Sequence, residues 1–92
     1  MARKLPVVWS FRDEEHAGAL ELVDGRIVLQ AARGAMGLSL ANVVHASVER
    51  GAAARLRGLP VVRLVTRGEL VVCIASLGGA GTLHELAQIL SV

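Results

Sequence analysis

The chain has 92 residues, 53 % of them hydrophobic and 20 % charged, with a formal net charge of +2. That is the length of one domain, 1–92, and a composition that is globular rather than disordered. Of the ten basic residues nine are Arg and only Lys4 is Lys; they are scattered rather than run together, and the aromatics are Trp9 and Phe11, which argues against nucleic acid as the partner.

The opening "MARKLPVVWSFRDEE" is a poor signal peptide, because its apolar stretch is broken by Ser10 and closed by Arg12 with no small-residue cleavage site. Within it "PVVWSFR" alternates as a strand, with Val7, Trp9 and Phe11 on one face. "DEEHAG" reads as a charged connection. "ALELVDGRIVLQ" then predicts a hairpin, because Asp24-Gly25 supplies the positive φ values of a tight turn between two alternating strands.

"AARGAMG" reads as a loop or irregular bridge. "LSLANVVHASVER" predicts a short strand, a bend near Ala41-Asn42 and a longer strand with Val44, Ala46 and Val48 facing inward. "GAAARLRGLP" is the longest expected loop, with a short helix from Ala52 to Arg57 as the competing reading. "VVRLVTRGELVVCIA" predicts two strands joined at Arg67-Gly68, since β-branched side chains pack well on a pleated surface. In "GTLHELAQIL", Leu83, Leu86, Ala87 and Leu90 form one helical stripe, and Thr82 and Glu85 have capping-box spacing.

The fold class expected from this pattern is α+β. About seven short strands lie too close together for parallel crossovers, so the sheet is mainly antiparallel. Two packed sheets or a partly open barrel would bury one face, and the C-terminal amphipathic helix would close an open end. The order of "ELVDGRIVLQ", "LSLANVVHASVER", "PVVRLV", "ELVVCIA" and "GTLHELAQIL" resembles the pleckstrin-homology-like (PH-like) fold, above all its compact bacterial versions, over nearly the whole chain. Many members carry a tryptophan in the closing helix, where this chain offers Leu83, Leu86 and Leu90. The resemblance implies a protein-binding domain, and it suggests self-association, since bacterial domains that look like this can form rings. Phosphoinositide-binding members place Lys and Arg between the first two strands. Here that place reads "RDEEHAG", whose three carboxylates repel a phosphorylated headgroup.

The glycines of "SLGGAGTLHEL" precede a helical pattern, so Gly79, Gly81 and Thr82 in the Gly78–Thr82 turn are a candidate anion- or nucleotide-binding turn. His84 stands where the dinucleotide motif needs a small residue, and the P-loop lysine is missing, which favours a plain turn. "HELAQ" approaches the zinc motif HExxH, but Gln88 occupies the second histidine's place, so no metal is expected. Asp13, Glu14, Glu15 and His16 read as a solvated turn. Cys73, alone, reads as a small buried hydrophobe with no call for an oxidising compartment.

Arg50, Arg55, Arg57, Arg63 and Arg67 gather around the long loop as a candidate contact for an acidic partner or anionic surface. Long apolar strands such as "LVVCIA" would offer main-chain pairing if they lay at a sheet edge. The expectation is therefore a cytoplasmic, non-enzymatic binding or assembly module without cofactor. It would act on a protein partner or on its own copies as a homo-oligomer. A peripheral membrane adaptor touching anionic lipid through the arginine-bearing loops is the first alternative, and a small anion- or nucleotide-binding domain the second.

Overall fold

The computed structural model describes residues 3–32, 34–51, 56–77 and 88. Seven strands follow one another: β1 (Arg3–Phe11), β2 (Glu14–Val23), β3 (Arg26–Ala31), β4 (Gly34–Ser39), β5 (Val43–Glu49), β6 (Val61–Thr66) and β7 (Val71–Ser76). A 3-10 turn, Leu40–Asn42, separates β4 from β5. All seven strands pair antiparallel in one sheet of order β4-β3-β2-β1-β7-β6-β5, curled into a half-barrel.

Local chemistry sets the turns. Asp24-Gly25 joins β2 to β3 with φ of 47° and 77°. Arg12-Asp13 joins β1 to β2 with φ of 53° and 63°, although neither residue is Gly or Asn. Positive φ at both central residues matches the right-handed twist of the flanking strands. Arg57-Gly58 repeats the geometry with φ of 52° and 77°, closed by reciprocal backbone hydrogen bonds between Leu56 and Leu59 of 3.0 and 2.9 Å.

Directly opposed residues in the sheet share a face. The concave face collects Val7, Trp9, Leu20, Ile27, Leu29, Val62, Leu64, Val72 and Ile74 into one core. Trp9 anchors it: the indole N–H donates to the Gln30 carbonyl oxygen at 3.2 Å, and the ring lies 4.4 Å from that of His16. Gly18 is required beneath this arrangement, because a Cβ there would overlap the Gln30 carbonyl oxygen. On the convex face the opposed pair Val8 and Ala75 is fully buried, as is Val61.

The expected α+β class is corrected. The strands form a single curled sheet rather than two packed sheets, and among the described residues the only α-helical one is Gln88, which by itself makes no closing element. The stretch expected to be the closing helix, from Thr82 to Leu90, lies outside the described residues except for Gln88. The alternative helix from Ala52 likewise falls on residues 52–55, which are not described.

Three local expectations change as well. "DEEHAG" is not a connection, since β2 already begins at Glu14 and places Glu14 opposite Phe11, Glu15 opposite Ser10 and His16 opposite Trp9. "AARGAMG" supplies β4 from Gly34 onward, because pairing with β3 imposes the strand on residues of low β-propensity. Val44 does not face inward. A bulge between Val43 and His45 leaves it unpaired and 58 % exposed, while Ala46 packs on the core.

Candidate functional site

A sheet curled into a half-barrel has two edges, and here they are β4 and β5. Among the described residues β4 has only β3 beside it, and β5 only β6. The strand singled out from the sequence as a candidate edge, "LVVCIA", becomes β7 and is enclosed between β1 and β6.

The hydrogen-bonding phase of β5 follows from a single bond. The backbone N–H of Thr66 donates to the Leu70 carbonyl at 3.0 Å, so Thr66 aims its main-chain groups at β7. Alternation along the strand then turns Val61, Arg63 and Val65 toward β5. Their opposites are Glu49, Ser47 and His45, whose main-chain groups are thereby taken up by β6. Ala46 and Val48 point the other way, into the open edge. The N–H of Arg67 donates to the Asn42 carbonyl at 2.9 Å, in agreement with this phase.

The same alternation sorts the side chains of β5. Ala46 and Val48 oppose the core residues Leu64 and Val62, so both lie on the concave face, and Val48 remains 39 % exposed at the mouth of the half-barrel. His45, Ser47 and Glu49 lie on the convex face, where the Ser47 hydroxyl donates to Glu49 Oε1 at 3.1 Å. With no described strand beyond it, the β5 edge thus presents the main-chain groups of Ala46 and Val48, one exposed apolar side chain beside the core, and a polar row behind. Beside the point where β4 and β5 part, a cleft of about 280 Å³ is lined by Leu38, Asn42, Thr66, Arg67 and Leu70.

A second cleft, about 370 Å³, lies where the β1–β2 turn meets the β6–β7 turn and is lined by Ser10, Arg12, Asp13, Glu69 and Cys73. Arg12 sits 5.1 Å from the Phe11 ring centre. Cys73 is partly exposed there rather than buried as expected, because it shares the convex face with Ser10 and Arg63. No group of three or more potential metal ligands occurs among the described residues.

The candidate arginines that are described sit on different elements. Arg57 is held by Glu15, with Nε 3.3 Å from Oε2. Arg63 is half-buried mid-strand between Ser47 and Cys73, Arg67 is exposed in the β6–β7 turn, and Arg50 is exposed at the end of β5. Arg55 lies outside the described residues, as do Gly79, Gly81 and Thr82 of the candidate anion-binding turn.

Sequence reasoning missed the β5 edge. It recognised the strand, but nothing in the local pattern shows that β4 and β5 are left without a common neighbour. The run Val43-Val44 sits at the bulge, but the like pairs Val7-Val8, Val61-Val62 and Val71-Val72 carry none, so the sequence offered no signal of the edge.

No family model, no curated protein and no solved structure matches the chain. The chemistry of the edge therefore stands on its own geometry. No helix among the described residues is long and apolar enough to cross a membrane.

Proposed function

We propose that the chain is a non-enzymatic binding and assembly module that acts through protein–protein contacts at the β5 edge. The observation that carries this reading is the open β5 strand, with Ala46 and Val48 directing main-chain groups outward and Val48 exposed beside the core. An extended strand laid along such an edge gains main-chain hydrogen bonds and shelters apolar surface at once. The PH-like resemblance of the sequence belongs to the same proposal, as does a cytoplasmic site of action.

The alternative is a peripheral membrane contact through exposed arginines such as Arg67 in the β6–β7 turn. It is the weaker reading, because Arg57 is engaged by Glu15 and the β1–β2 turn beside it carries Asp13.

Light scattering on the purified chain across a wide range of concentrations tests the assembly reading. A native mass rising well above that of one chain in the micromolar range is expected. A chain monomeric at every concentration overturns self-association. Salt-sensitive sedimentation with anionic vesicles alone would move the function to the membrane surface.

A further inference from the structure

The β5 edge is complementary to itself. Its outward main-chain positions are Ala46 and Val48, so a second β5 running antiparallel can join it only in registers that pair these residues with each other. Pairing Ala46 with Ala46 of the second copy sets the bulged Val44 against Val48 and interrupts the ladder. Pairing Val48 with Val48 of the second copy sets His45 against Gly51 and Ala46 against Arg50, so a single apolar pair spans the junction and no acceptor faces the imidazole.

The remaining register is centred on Ser47. It pairs Ala46 with Val48 of the second copy, and His45 with Glu49 of the second copy, each twice by symmetry. Ala46 and Val48 share the concave face, so the two apolar pairs extend the core across the junction. His45 and Glu49 share the convex face, so an imidazole N–H donor meets a carboxylate acceptor on the opposite strand. The bulge at Val44 falls beyond the paired segment and splays the chain away there.

We infer that the partner of the β5 edge is a second copy of this chain, joined by an antiparallel, two-fold β5–β5 pairing centred on Ser47, with His45 facing Glu49 of the second copy. This rests on the strand-edge assembly reading above and names its occupant and register. An isologous contact of this kind closes after two subunits, so it builds a dimer and joins the two half-barrels into one continuous sheet.

Disulfide trapping in a Cys73→Ala background tests it. Ser47 would form a non-hydrogen-bonded pair with its own counterpart, with Cα atoms about 4.5 Å apart, inside the roughly 4.4–6.8 Å that a disulfide spans. Glu49 would lie four positions from its counterpart, about 14 Å away at the rise of a strand. Ser47→Cys is therefore expected to give a covalent dimer under mild oxidation and Glu49→Cys to remain single. Separately, Glu49→Lys is expected to weaken self-association about tenfold, and adding His45→Glu to restore it.

An oligomer in light scattering that Ser47→Cys fails to trap overturns the register and leaves strand-edge assembly standing. Equal trapping by Ser47→Cys and Glu49→Cys has the same consequence. A background variant that stays monomeric at every concentration overturns both.

Discussion

Arg57 and Glu15, 42 positions apart in sequence, meet with Nε 3.3 Å from Oε2 and tie the connection between β5 and β6 to the second strand of the sheet. Glu15 reaches this place because β2 starts immediately after the Arg12-Asp13 turn, which sets Glu15 opposite Ser10 on the convex face. Arg57 reaches it from a tight turn in which it adopts φ of 52°. The pair bears on function as well as fold, since it occupies one of the cations that a membrane contact would use.

Both side chains are about half exposed, so the pair contributes at most about 1 kcal/mol. Glu15→Gln is expected to lower stability by no more than that in urea unfolding. It is also expected to raise sedimentation with anionic vesicles at low salt, because Arg57 is released. A loss of several kcal/mol would contradict the assignment of an exposed, screened pair.

Trp9 carries a larger share of the core, being buried and hydrogen-bonded to the Gln30 carbonyl. Trp9→Ala is expected to cost about 3–5 kcal/mol. Trp9→Phe keeps most of the apolar contact and loses the N–H donor, so the loss should be smaller. Paired denaturation curves of the two variants separate packing from the hydrogen bond, and equal losses would remove the hydrogen bond's role.

Gly18 leaves room for the backbone of Gln30 and Ala31 to pass close by. Gly18→Ala forces that backbone aside and is expected to lower stability by about 1–3 kcal/mol or more. It should also disturb the indole signal of Trp9, whose acceptor is the displaced carbonyl. An unchanged melting temperature together with unchanged Trp9 fluorescence would contradict the close approach.

Val48 is 39 % exposed on the edge strand, so replacing it disturbs little of the folded monomer. Val48→Lys places a charge where an added strand would seat an apolar neighbour, the device by which natural sheet edges resist pairing. The variant is expected to be monomeric by light scattering and to lose under about 1 kcal/mol of stability. Retained assembly would place the contact elsewhere.

Some of this was legible in the sequence and some was not. Asp24-Gly25 announced its hairpin because glycine's permissive backbone is written in the residue type. Arg12-Asp13 adopts the same geometry without that marker, so the run Asp13-Glu14-Glu15 looked like a loop and the length of β2 was missed. β4 is a strand by virtue of its neighbour β3, and "GAMG" carries no propensity of its own that would show it. The Val44 bulge moves that residue outward while Ala46 keeps its core contact, which simple alternation cannot anticipate. The pairing of β1 with β7 joins the first and last strands of the described chain in the middle of the sheet and lies beyond any local pattern. That pairing is what leaves β4 and β5 as edges, so the candidate site depended on information that a short window of residues does not hold.

Amide hydrogen exchange along β5, measured at low and high protein concentration, tests strand-edge assembly most directly. Ser47 and Glu49, bonded to β6, should be protected at both concentrations. Ala46 and Val48 should exchange quickly when dilute and slowly when concentrated, as their N–H groups are taken up by an added strand. Fast exchange of Ala46 and Val48 at every concentration, or protection of both even when dilute, would contradict an edge that is open in the single chain and filled on assembly.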